Sequence, residues 1–68
     1  MFQENHPLTE REQQILQLSA EGKTAKEIGT ELFLSSRTVR NYMSEVLQKL
    51  EAKNKIEAIA RAQEKGWI

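Results

Sequence analysis

The stretch Lys26–Leu50, KEIGTELFLSSRTVRNYMSEVLQKL, decides how this chain folds. Ile28 and Leu32 stand four apart, on one face of a short helix. Val39, Met43, Val46 and Leu50 recur at intervals of four, three and four, and Leu47 widens the stripe into the buried side of a longer helix. Only Phe33-Leu34-Ser35 separates the two, enough for a tight turn, with Ser35 or Ser36 capping the longer helix. Gly29 in the middle of the short helix costs about 1 kcal/mol against alanine, a cost that the close approach of another helix would justify. Many such turns carry a glycine. Here Phe33 or Leu34 holds that place, so an apolar side chain is expected to tuck inward.

Outward from this core, each helix has a start signal. Thr9-Glu10-Arg11-Glu12 is a capping box, in which the threonine hydroxyl and the glutamate satisfy each other's backbone amides. It opens a helix over 9–21 that buries Ile15, Leu16 and Leu18, with Gly22 suited to the left-handed position after its end. Thr24-Ala25-Lys26-Glu27 is a second box, opening a helix over 25–32. The long helix covers 36–51. Asn54-Lys55-Ile56-Glu57 opens a fourth over 55–65, ended by Gly66, with Ile56, Ile59 and Ala60 expected toward the core and Ala58, Arg61 and Ala62 off it. The expected fold class is all-α, a four-helix bundle containing a helix-turn-helix. Residues 1–7, aperiodic and containing Pro7, are expected to be a flexible arm, with 8–68 as the domain. Trp67 and Ile68 are expected to fold back as a lid.

Composition narrows the function. Sixty-eight residues leave room for one domain, which at this size buries roughly 60% of the unfolded chain's surface. Cysteine and aspartate are absent and His6 is the only histidine, so no thiolate zinc site and no Ser/His/Asp set can be built. We expect no metal, no cofactor and no catalysis. Apolar runs such as Leu32-Phe33-Leu34 reach only three residues, too short for a membrane span or a secretory signal, and a cytoplasmic protein is expected. The net charge is zero, but residues 1–34 hold three basic and six acidic side chains, while residues 35–68 hold seven basic and four acidic. Screening confines fields to about 8–10 Å at ordinary salt, so the local excess of positive charge is what a phosphate would meet.

That basic half contains the long helix. Opposite its apolar stripe lie Arg37, Asn41, Ser44 and Gln48, with Arg40 on one shoulder and Thr38, Tyr42 and Lys49 on the other. Arginine can bond guanine O6 and N7 together, asparagine can pair with adenine likewise, and serine can bond either. Thr, Ser, Tyr and Lys side chains and the amides of a helix start suit phosphate oxygens, which set position without reading sequence. A helix so equipped fits the DNA major groove. Arg40, Asn41, Ser44 and Arg37 are the expected base contacts. Thr24, Lys26, Ser36, Thr38, Tyr42 and Lys49 are the expected phosphate contacts.

The ordered set Leu8-Thr9-Glu10-Arg11-Glu12, Gly22, Thr24-Ala25-Lys26-Glu27-Ile28, Leu34-Ser35, Thr38-Val39-Arg40, Lys49-Leu50 and Glu57-Ala58 resembles the DNA-binding domain of the LuxR/NarL/FixJ family, over residues 8 to about 62. The resemblance implies a four-helix domain whose third helix reads the major groove and whose fourth mediates dimerisation on inverted-repeat sites. It matches Arg40 to a base-contacting basic position, places Asn41 and Ser44 at neighbouring base-facing positions, and matches Lys26, Thr38 and Lys49 to backbone-contacting ones. Ser44 stands where relatives often carry a basic residue, Tyr42 where they often carry His, and Gly29 where they often carry Ala. Glu12 is expected to cap its helix and to pair with a basic residue elsewhere. The expected partners are double-stranded DNA, a second copy held weakly through Ala58, Arg61 and Ala62, and RNA polymerase. Two rival readings remain at this point. The promoter-reading fourth region of a sigma factor also carries a helix-turn-helix, but a denser basic one without a Glu57-Ala58 tail helix. A protein-interaction module that has kept the fold would suit the zero net charge.

Overall fold

The computed structural model describes residues 7–68; the expected amino-terminal arm, apart from Pro7, and with it His6, lies outside the described residues. The described residues form four helices in order: α1 Glu10–Ala20, α2 Ala25–Leu32, α3 Ser36–Leu50 and α4 Lys55–Glu64. Both capping boxes form. Thr9 Oγ1 accepts from the Glu12 amide at 3.2 Å while Glu12 Oε1 accepts from the Thr9 amide at 2.8 Å. Thr24 and Glu27 repeat the exchange at 3.1 and 2.9 Å. Of the two serines before α3 it is Ser35 that caps, accepting from the Thr38 amide at 3.0 Å. Asn54 Oδ1 accepts from the Glu57 amide at 2.8 Å and starts α4.

Two apolar clusters hold the helices together, and α3 is the wall common to both. Ile15 of α1, Ile28 of α2 and Val39 of α3 form one, with Leu18, Leu32, Leu34 and the Tyr42 ring packed around them. Leu8, Leu16, Val46, Leu50, Ala58 and Ala62 form the other, lidded as expected by Trp67 and Ile68. The Trp67 amide donates to the Ala62 carbonyl, and the Gln13 side chain donates to the Trp67 carbonyl. Met43 packs against both clusters.

The phase of α4 corrects the sequence reading. Ala58 and Ala62 are fully buried, whereas Ile56 is 78% exposed and Ala60 is exposed. Of the three residues expected inside, only Ile59 is partly covered. Two alanines four apart let α4 lie close to α1 and α3, and that steric fit outweighs the larger transfer energy of Ile56. Arg61 is not free either: its guanidinium donates to the Leu50 carbonyl at 3.3 Å and sits 3.8 Å from Glu57. The surface expected to join two copies is therefore inside the fold at Ala58 and Ala62, and Arg61 is tied to the end of α3.

The turn between α2 and α3 divides its two apolar residues. Leu34 is the one that tucks in, while Phe33 takes the left-handed conformation at φ 61°, ψ 41° and is 94% exposed. The left-handed region costs an L-residue roughly 1–2 kcal/mol, and among the described residues no packing compensates the exposed phenylalanine. Phe33→Gly should therefore stabilise the fold by about 0.5–1 kcal/mol after allowing for glycine's freer unfolded state. A thermal melt higher by a few degrees checks this; a lower one would mean that the ring has a hidden partner in the fold. Gly29 serves this same turn. A β-carbon there would lie 2.4 Å from the Leu34 carbonyl oxygen, so the close neighbour is the turn backbone rather than another helix.

Candidate nucleic-acid interface

α3 is a 15-residue helix, about 22 Å long, anchored along one side and open along the other. Val39, Val46 and Leu50 are buried at 2%, 0% and 6% exposure. On the opposite side Arg37, Arg40, Asn41, Ser44 and Gln48 are all exposed. No hydrogen bond or ion pair within the described residues engages the side chains of Arg37, Arg40, Asn41 or Ser44, so their side-chain donors are available to a partner. Regular helical phase explains the arrangement: apolar residues at i, i+4, i+7 and i+11 use up the inward arc, and the intervening positions must face out.

The expected phosphate contacts fall into three situations. Thr24 and Lys26 sit at the start of α2, where Lys26 is exposed and the Thr24 hydroxyl, accepting from Glu27, keeps its own proton to donate. Ser36 and Thr38 occupy the first turn of α3, half-buried; Thr38 Oγ1 accepts from the Ser35 hydroxyl at 2.9 Å and likewise keeps a proton. Tyr42 lies against the α1–α2–α3 cluster, sharing a shallow hollow with Thr38, Asn41 and Glu45. Glu45 places a carboxylate on that flank, so a backbone phosphate there would meet hydroxyl donors beside a like charge.

Lys49 stands apart. Its ammonium lies 2.8 and 3.0 Å from the two carboxylate oxygens of Glu12, a residue only 2% exposed. The sequence suggests a basic partner for Glu12 and, separately, a phosphate for Lys49; the structure joins the two. Two of the three ammonium donors are engaged, and the charge is neutralised where it sits. Burial would push the Glu12 carboxyl up, but the Lys49 ammonium and the Thr9 amide outweigh it and hold Glu12 below the usual carboxylate range.

Two further cations lie beside the expected contacts. Lys23, in the α1–α2 turn, and Lys55, the first residue of α4, line one hollow with Arg40. Sequence spacing gives no hint of this, because the three positions lie on different elements. Their basic character is the only signal in the sequence. Among the described residues no group of His and acidic side chains is placed to hold a metal ion, and no helix is long and apolar enough to cross a membrane.

Known proteins resemble the chain throughout this region. The family model described as bacterial regulatory proteins, luxR family, matches residues 6–62. The uncharacterized transcriptional regulatory protein YvfU of Bacillus subtilis (strain 168) is 60% identical over 68 residues, 100% of this chain and 34% of that protein. The transcriptional regulatory protein DesR of the same organism is 57% identical over the same span, again 34% of its length. The chain thus spans about a third of these two relatives. The spore germination protein GerE of Bacillus subtilis is 42% identical over 67 residues, 98% of this chain and 90% of GerE. The solved structure of the transcription factor GerE superposes with a TM-score of 0.85 at 37% identity, covering 88% of this chain and 90% of that one.

Proposed function

For a chain that belongs to the luxR family of bacterial regulatory proteins, and is a DNA-binding transcription-regulator domain rather than an enzyme, we propose that α3 enters the major groove of double-stranded DNA and reads sequence through Arg40, Asn41, Ser44 and Arg37. One observation carries this reading: the outward face of α3 presents these four side chains exposed and unpaired, while its inward face is fixed by both apolar clusters. A reading helix must be rigidly placed yet free at its donors, and α3 is both.

Thr24, Lys26, Ser36, Thr38 and Tyr42 set the position of the helix through backbone oxygens. Lys49 adds to this only through its remaining donor. Affinity comes largely from phosphate contacts and falls steeply with salt. We place two copies on inverted half-sites about one helical turn apart. Their contact uses the outer face of α4 around Ile56 and Ala60, because Ala58 and Ala62 are enclosed. RNA polymerase is the further partner of such a regulator, and the cytoplasm, where bacterial DNA lies, its place.

Arg40→Ala should weaken the preferred site by roughly 1–3 kcal/mol and relax preference at one base pair. Selection of bound sites from a random DNA pool, carried out on the wild type and the variant, measures both. An unchanged preference would remove Arg40 from the reading set. Binding that required RNA polymerase would favour the sigma-factor reading, and absence of any gel shift at low salt would favour the protein-interaction module.

A further inference from the structure

The two flanks of α3 differ in charge. On the Tyr42 flank the hollow holds Glu45 and no cation. On the Arg40 flank a hollow of about 250 Å³ has apolar walls from Ile28, Val39 and Met43 and carries Lys23, Arg40 and Lys55, with no acidic residue lining it. These cations come from the α1–α2 turn, α3 and the start of α4, so only the folded chain brings them together. Arg40 and Lys55 have no ion-pair partner among the described residues, and Lys23 has only a loose, exposed one in Glu31 at 3.8 Å. Ser19 lines the same hollow; it is 6% exposed, and its side chain makes no hydrogen bond within the described residues.

Such a cleft, lined by one sign of charge over low-dielectric walls, concentrates field at its mouth. Three cations close together repel one another unless an anion joins them, and a buried hydroxyl without a partner marks space that a water or a ligand oxygen fills. We propose, resting on the reading that α3 lies in the major groove, that Lys23 and Lys55 seat one backbone phosphate of the bound DNA at the mouth of this hollow, beside Arg40. The strand on the Arg40 side is then held mainly by charge, and the strand on the Tyr42 side mainly by hydroxyl donors, with the one remaining donor of Lys49. Water beneath the phosphate supplies the Ser19 hydroxyl with its partner. Arg40 shares the site, so its guanidinium is aligned by the phosphate as it reaches the base edge.

The test compares the wild type with a Lys23→Ala/Lys55→Ala double variant by fluorescence anisotropy on a selected-site duplex, over a range of salt. Loss of one phosphate contact should make the plot of log affinity against log salt shallower by about 0.9 and weaken binding about fivefold to tenfold at 0.1 M salt. Ranking among site variants should stay the same. Lys65→Ala removes one positive charge just past the far end of α4 and should leave the slope alone. A single neutral methylphosphonate walked along each strand should weaken the wild type at one position by a similar factor, and leave the double variant unaffected at that position. An unchanged slope in the double variant, or an equal drop with Lys65→Ala, overturns the proposal. In that case the groove reading still stands if Arg40→Ala shifts base preference. A wild type that binds no duplex DNA overturns both.

Discussion

Gly29→Val should unfold the domain, or leave it melting far below the wild type. A β-carbon at this position would sit 2.4 Å from the Leu34 carbonyl oxygen, 3.3 Å from its carbon and 3.4 Å from the carbonyl carbon of Ser35. These are backbone atoms, so no rotamer change relieves the overlap. They also belong to the turn whose amide at Leu34 donates to the Gly29 carbonyl at 2.8 Å, which ties helix and turn together. Forcing extra atoms into a packed contact typically destabilises by 1–3 kcal/mol, and a β-branched side chain pressed against main chain belongs at or above the upper end, about 3 kcal/mol. A domain of this length has only about 3–10 kcal/mol in total. Alanine is the intermediate case: its helix propensity returns about 1 kcal/mol against the displacement of the Leu34 carbonyl. Urea or thermal unfolding measures the series. A valine variant within about 1 kcal/mol of the wild type would show that the turn yields freely and that close approach is not why a glycine stands there.

Lys49→Ala should destabilise the fold by about 2–3 kcal/mol at pH 7, at or just below the lower end of the roughly 3–5 kcal/mol for breaking a buried ion pair, because the lysine end is partly open to water. The loss arises at the other end. Glu12 is 2% exposed and would remain ionised inside the domain with only the Thr9 amide as partner. The pH dependence separates this account from simple loss of packing. In the wild type the Glu12 pKa is lowered on folding, so its contribution is present above the unfolded value of about 4.3 and fades as pH falls through the lower folded value. In the variant only the Thr9 hydrogen bonds oppose burial, so the carboxyl lies higher than in the wild type and acidification relieves part of the penalty. The deficit of Lys49→Ala should therefore be largest near neutrality and shrink below about pH 4.5. Adding Glu12→Gln should recover part of the loss at pH 7. A pH-independent deficit would assign the effect to the lysine's aliphatic stem. Because the same variant also removes a cation near the DNA face, binding must be compared at a temperature where both proteins are folded.

Local signals make most of the fold legible in the sequence. The two Thr-x-x-Glu boxes, the Asn54 cap and the 4-3-4 spacing of α3 each act within a few residues, and the helix starts agree with them closely. The outward face of α3 is readable for the same reason, since helical phase is a local property. Long-range geometry is not. Glu12 and Lys49 stand 37 positions apart, and no pattern along the chain says which lysine closes on which glutamate. Residue size misleads about the facing of α4. Ile56 is large and outside, while Ala58 and Ala62 are small and inside, since a tight crossing excludes bulk whatever its hydrophobicity. The Lys23–Arg40–Lys55 hollow is invisible in the sequence for a related reason: its members meet only once three separate segments have packed.

α3 buries one edge in both clusters and leaves the other untouched by the rest of the domain. On the proposed reading, substitutions at Arg37, Arg40, Asn41 and Ser44, all exposed, alter recognition chemistry at almost no thermodynamic penalty to folding. A lineage carrying this scaffold can drift from one operator to another in single steps, each intermediate remaining a well-formed protein.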